Sequence, residues 1–142
     1  MTSPDLTGGC LCGAVRFSLA SAPFDPGWCH CRTCQLNSGS PAMVFAAVPL
    51  GDYRFERGED RVATVPSSDF GHRAFCRSCG TPLYMRVDYE PETLDFCLAT
   101  LDDPQAVTPE FHIFYESRIG WAEAGDALPR HARSRPGQGG PA

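Results

Sequence analysis

Eight cysteines are spread along 142 residues as Cys10-x-Cys12, Cys29-x-Cys31-x2-Cys34, Cys76-x2-Cys79 and a lone Cys97. This spacing constrains the fold more than any other feature. Side chains two residues apart on an extended chain project from one face, so Cys10 and Cys12 can reach the same ion. Three residues apart in a turn, Cys76 and Cys79 can do likewise, and Gly80 supplies the permissive backbone that tight metal turns require. The stretch Met1 to Gly9 contains Pro4, Asp5 and two glycines, with neither a basic start nor an apolar run of signal-peptide length. A reducing, cytoplasmic location is therefore expected, where cysteines serve as metal ligands rather than disulfides.

Zinc is the cation that four thiolates close into a tetrahedral structural site, whereas three protein ligands leave a position for water or substrate. The arithmetic suggests one site from Cys10, Cys12, Cys76 and Cys79, pinning an amino-terminal strand to a later hairpin, and a three-thiolate site from Cys29, Cys31 and Cys34. Two zinc ions per chain follow. Spacing alone leaves other partitions open, because the middle cluster can pair with either flanking one and Cys97 can complete a second four-cysteine set. Cys97 shares a strand with Leu94, Phe96 and Leu98 but faces the other way, and it reads as a small buried hydrophobe. A thioredoxin-like role for Cys76 and Cys79 lacks the helix such a pair opens.

The rest of the chain is patterned for short strands. With 14 glycines and 13 prolines, turns are frequent. Val15, Phe17 and Leu19 alternate with polar residues, Met43 to Val48 is a short apolar run, and Phe70 to Phe75 and Leu83 to Val87 flank the second cysteine turn. Tyr53 to Phe55 and Arg61 to Val65 read as a hairpin around Gly58. Thr93 to Leu101 and Phe111 to Tyr115 read as further strands, with single helical turns at Thr33 to Ser38 and Asp103 to Val107. The expected organisation is a flexible stretch over residues 1–7, one mainly β zinc domain over 8–129 and a disordered tail over 130–142, in which no apolar side chain exceeds alanine. The net charge of −5 gives no basic field for nucleic acid, and no stretch has the length and apolarity of a membrane span.

Several segments together resemble a known family. They are Gly9-Cys10-Leu11-Cys12-Gly13-Ala14-Val15, Cys29-His30-Cys31-Arg32-Thr33-Cys34-Gln35, Ser38-Gly39-Ser40 and Cys76-Arg77-Ser78-Cys79-Gly80-Thr81-Pro82-Leu83. Leu101-Asp102-Asp103-Pro104, His112-Ile113-Phe114, Ser117 and Trp121 extend the match, which runs from about Gly8 to about Pro129. The pattern resembles the glutathione-dependent formaldehyde-activating enzymes, whose domain is shared with centromere protein V. The resemblance implies a mainly β, Mss4-like fold of several coiled sheets with short helical turns. It implies that Cys10, Cys12, Cys76 and Cys79 hold a structural zinc and that Cys29, Cys31 and Cys34 hold a catalytic one. It also implies a carbon-sulfur lyase that joins a small-molecule thiol, glutathione or a similar one, to formaldehyde. Leu36 and Asn37 depart from relatives that carry basic or small residues there, which bears on substrate contacts beside Cys34.

A three-thiolate zinc that takes a thiol as its fourth ligand lowers that thiol's pKa and presents a nucleophile. Three thiolates leave the ion at net −1, so partial positive compensation would help. Arg32 and Arg77 are the candidates within the motifs for that or for a glutathione carboxylate, but motif membership does not fix where they point and the reading as surface residues is favoured. His30 faces away from Cys29 and Cys31 on an extended segment, which suits a structural role. His112, beside aromatics, reads as a core histidine, and Ser38 to Ser40 as a turn lining the site. The alternative to an enzyme is a non-catalytic zinc module for a protein partner or a carried thiol, which an additional ligand closing the second site would favour. A third reading, a redox switch, would use the middle cluster as metal-free thiols.

Overall fold

Ten strands and one helix carry the chain in the computed structural model, which describes residues 6–136. The strands are β1 (Leu6–Gly9), β2 (Arg16–Leu19), β3 (Phe24–Cys29), β4 (Met43–Pro49), β5 (Tyr53–Arg57), β6 (Val62–Pro66), β7 (Gly71–Cys76), β8 (Pro82–Val87), β9 (Thr93–Cys97) and β10 (Phe111–Ile113), and the helix is α1 (Arg32–Ser38). They form a three-stranded sheet ordered β1-β2-β5 and a seven-stranded sheet ordered β10-β3-β4-β9-β8-β7-β6. The expected mainly β architecture of several sheets is observed.

Period-two alternation gives the central strands of the large sheet two working faces. From β4 and β9, Ala46, Val48, Leu94 and Phe96 pack against Phe17, Leu19 and Tyr53 of the small sheet. The Phe17 ring is fully buried and stacks on Tyr53 with centroids 4.4 Å apart. The same ring meets Phe96 of the large sheet with centroids 6.2 Å apart; truncating such a ring costs ~3–5 kcal/mol, so Phe17 carries a large part of the fold's stability. The intervening residues, Phe45, Ala47, Thr93 and Asp95, face the opposite way and line a cleft of about 910 Å³.

Two expectations are corrected. The strands on either side of Gly58 do not pair: β5 joins β2, whereas β6 joins β7. Gly58 is the point at which the chain changes sheets, with φ of 82°, and a Cβ there would lie 2.0 Å from the Ala14 carbonyl oxygen. Asp103 to Val107 forms a turn, not a helix, closed by the Ala106 N–H on the Asp103 carbonyl at 3.1 Å.

Within the described residues, backbone pairing reaches into the stretch expected to be flexible over residues 1–7 and the tail expected over 130–142. Leu6 already pairs with Leu19 in β1. The segment from Arg130 follows β10, where the His131 N–H donates to the His112 carbonyl and the Phe114 N–H to the Arg133 carbonyl. A three-residue edge strand leaves backbone groups to be satisfied, and a tail needs no apolar side chains to satisfy them. Residues 1–5 and 137–142 lie outside the described residues. Among the described residues no helix is long and apolar enough to cross a membrane.

Candidate metal centres and active site

Two turns build the four-cysteine group. One follows β1 and carries Cys10 and Cys12, and the other follows β7 and carries Cys76 and Cys79. Each is closed by a left-handed glycine, with the Gly13 N–H donating to the Cys10 carbonyl and the Gly80 N–H to the Cys76 carbonyl. The Leu11 N–H donates to the Thr81 hydroxyl at 3.0 Å, tying the turns together. All four sulfurs lie within 4.8 Å of one another, with Cys10 and Cys76 buried, Cys79 half-buried and Cys12 exposed. The Thr81 hydroxyl, aided by the Thr81 and Cys12 N–H groups, holds the Cys79 thiol down to about 5. This group joins the small sheet to the large one, as expected from the spacing.

The second group gathers where β3 ends and α1 begins. Cys29 is the last residue of β3, Cys31 caps the helix by accepting the Cys34 N–H on its sulfur at 3.3 Å, and Cys34 lies in the first turn. The three sulfurs also lie within 4.8 Å of one another. Hydrogen bonds from Cys29 and then Cys34 hold the Cys31 thiol well below the usual thiol range, and the same interaction with Cys31 pushes Cys29 well up. One thiolate is thus held by two neighbouring thiols, an arrangement in which a divalent cation can replace the shared protons. Cys29 and Cys31 line the cleft, so the triad is open to it on one side.

Arg73 on β7 decides whether the triad suits a metal. It is 5% exposed, yet among the described residues no carboxylate pairs with it. Its guanidinium donates to the Cys34 sulfur at 3.3 Å and to the Met43 sulfur at 3.4 Å and lies 5.8 Å from the Phe45 ring centroid, and its Nε has no partner. A buried, uncompensated cation is costly, and three thiolates around a dication carry the single negative charge that would balance it. The donor set and its surroundings therefore fit a metal ion bound by three thiolates.

The motif arginines do not supply this charge. Arg32 is exposed and donates to the Gln35 side chain at 3.1 Å, and Arg77 is exposed beyond the other cysteine group. Arg73 precedes Cys76 by three residues and falls outside the motif, and strand alternation could have marked it as a charge facing inward. Asp95 was also missed: the face opposite Leu94 and Phe96 was legible, but not that it lines the cleft. Burial raises its carboxyl to about 7, with Glu90 and Asp25 adding to the shift.

His30 behaves as the alternation implied, with its ring turned from the triad. Its Nε2 lies 2.9 Å from His112 Nδ1, and His112 Nε2 lies 3.0 Å from Asp126. An ionised Asp126 requires His112 to donate through Nε2, and a neutral His112 then accepts the His30 Nε2–H on its Nδ1. This chain and the Tyr115 ring, whose centroid is 5.0 Å from His30, bind β10 and the tail to the back of the triad. Cys97 is buried beside Cys29, Cys34 and Met43 but belongs to neither sulfur group. Ser38, Gly39 and Ser40 form the α1 C-cap and do not line the cleft; Thr33 does.

Known proteins share this framework. Residues 5–117 match the family model of the glutathione-dependent formaldehyde-activating enzyme. A protein of Halomonas elongata, named a putative glutathione-dependent formaldehyde-activating enzyme, is 26% identical over 83% of the chain and 80% of its own length. A Podospora anserina protein of the same name is 30% identical over 82% of the chain, and an uncharacterized lyase of Schizosaccharomyces pombe is 33% identical over 57% of it. The match spans only 57% of each of these last two relatives. A solved Rhodobacter sphaeroides protein superposes with a TM-score of 0.59 at 24% identity, over 87% of this chain and 98% of its own, which shows a common fold. With three cysteine motifs assembled into two sulfur groups and the family model matched over most of its length, the chain belongs to the glutathione-dependent formaldehyde-activating enzyme family.

Proposed function

We propose that this protein is a zinc-dependent carbon-sulfur lyase that adds a small thiol, glutathione or a similar one, to formaldehyde or another small electrophile. Cys10, Cys12, Cys76 and Cys79 hold the structural zinc in this reading, and Cys29, Cys31 and Cys34 hold the catalytic one. The observation that carries it is the triad itself: two of its sulfurs line a cleft large enough for a peptide-sized thiol, and a buried arginine balances the charge behind it. When bound, zinc supplies Lewis acidity that keeps an incoming thiol ionised near neutral pH.

The chain's own residues do the rest. Cys29, Cys31 and Cys34 fix the position at which a thiol sulfur arrives, and Arg73 offsets the negative charge that builds there. Phe45, Phe111 and Phe114 make the cleft wall apolar and limit water around the reacting carbonyl. The thiolate sulfur bonds to the aldehyde carbon, the carbonyl π pair moves to oxygen, and the proton lost by the thiol ends on the new hydroxyl. No atom is oxidised, and the reverse step releases thiol and aldehyde.

Two-dimensional exchange NMR on a mixture of glutathione and formaldehyde tests this. Wild type is expected to raise the rate of adduct interconversion above the spontaneous rate, and Cys31→Ser to return it there. A wild-type rate equal to the spontaneous one overturns the assigned reaction.

A further inference from the structure

The cleft is electrically lopsided. Arg73 is the only base among its described lining residues and lies at the triad end. Asp25, Glu90, Glu92 and Asp95 also line it. Asp25 is already paired with Arg135 at 3.1 Å. Asp95 differs from the others: it is half-buried on β9, lines the cleft, and has no hydrogen-bond or ion-pair partner among the described residues. The strand register fixes how far it lies from the triad. Cys29 is opposite Met43, and Asp95 is opposite Ala47 on the other side of β4. Four residues along a strand and two strand spacings across the sheet separate the two backbones by roughly 16 Å. A group held at the triad cannot touch Asp95, but the far end of an extended thiol can.

From this geometry we infer that Asp95, with Glu90 beside it, is a subsite for an ammonium group at the far end of the thiol substrate. The inference rests on the thiol-binding reading of the triad and narrows the substrate to aminothiols over thiols ending in a carboxylate. A carboxylate directed at this end meets like charge in a shielded site, whereas an ammonium gives Asp95 the partner it lacks. Glutathione presents an ammonium at its γ-glutamyl end but brings two carboxylates with it, so it is a weaker fit than a thiol whose far end is purely cationic. The cleft backbone is specialised around these groups. The two non-glycine residues with positive φ among those described, Asp25 at 51° and Phe114 at 52°, both line it, and backbone strain of this kind concentrates at ligand sites.

The test is calorimetric titration of the metal-replete protein with an aminothiol of about eight methylenes, whose extended length of roughly 12 Å leaves the rest of this span to the cysteine and aspartate side chains, and with a carboxythiol of equal length. Arrival of either sulfur at the triad is followed separately through the cobalt-thiolate absorption of the cobalt-substituted protein. The aminothiol is expected to bind at least ~10-fold more tightly, the value of one charge-assisted contact. In Asp95→Asn that preference should fall below about threefold with carboxythiol affinity no weaker than in wild type. Because burial raises the Asp95 carboxyl to about 7, the preference should also shrink between pH 8 and pH 6 as the group is neutralised. A preference near unity in wild type, or one unchanged in Asp95→Asn, overturns the subsite while leaving the triad reading intact. If neither thiol perturbs the cobalt absorption, the triad reading fails and the subsite falls with it.

Discussion

Replacing Arg73 by methionine removes the charge behind the triad while keeping an unbranched side chain of similar reach. The guanidinium lies 3.3 Å from the Cys34 sulfur in a site where it is 5% exposed. Two unit charges about 4 Å apart interact by ~4 kcal/mol at the effective dielectric of such a site, and breaking a buried charge pair costs ~3–5 kcal/mol. Cys31 is half-buried and the cleft admits water, so the lower part of that range applies. At ~1.4 kcal/mol per decade, zinc affinity of the triad should fall roughly 100-fold. The four-cysteine group has no contact with Arg73 and should keep its affinity. Competition against a chromophoric chelator resolves the two sites as separate steps, and Arg73→Lys, which keeps the charge, should recover part of the loss. A triad affinity within about threefold of wild type in Arg73→Met would refute the charge-balance argument.

Two further substitutions test the fold and the cleft. Burial raises the Asp95 carboxyl from 3.8 to about 7, so the unfolded chain releases this proton first and the folded state loses stability as pH rises between those values. Asp95→Asn should therefore be more stable than wild type at pH 8, by up to ~4 kcal/mol less a discount for the open side, and gain little at pH 4; urea midpoints at the two pH values measure it. Gly58→Ala forces a Cβ into the Ala14 carbonyl at a φ of 82°, whereas Gly51 has nothing within 4 Å of a Cβ. The first should cost at least ~2 kcal/mol and the second less than ~0.5 kcal/mol by denaturant titration.

The parts of the structure legible in the sequence are those in which local pattern and tertiary environment agree. The alternation of Val15, Phe17 and Leu19 and of Leu94 and Phe96 reports two faces, and those residues form the contact between the sheets. The cysteine spacing reports each local cluster because turn geometry alone brings those sulfurs together, whereas the joining of Cys10 and Cys12 to Cys76 and Cys79 is tertiary and spacing left it open. β3 was not legible, since Phe24-Asp25-Pro26-Gly27-Trp28-Cys29 reads as a loop. Its proline falls at a register irregularity, and Gly27 is needed because the Phe111 ring lies where a Cβ would be, 2.2 Å away. Both reasons are tertiary. The pairing of β5 and β6 was misread for a related reason: a glycine between two strand-like runs signals a turn, but not which sheet each run joins. Arg73 and Asp95 were missed because a charged residue in a strand is ordinarily placed outward. Only the sulfur cluster and the cleft give these two a reason to face in.

In this reading four cysteines staple the fold and three serve the chemistry. Metal content and folding, measured together on wild type, Cys31→Ser and Cys76→Ser, test it most directly. The wild type should hold two zinc ions. Cys31→Ser should lose one zinc and keep the wild-type strand signature in circular dichroism. Cys76→Ser should fail to fold, because a structural zinc contributes on the order of 10 kcal/mol, as much as the net stability of a domain. A folded Cys76→Ser together with an unfolded Cys31→Ser would contradict the account.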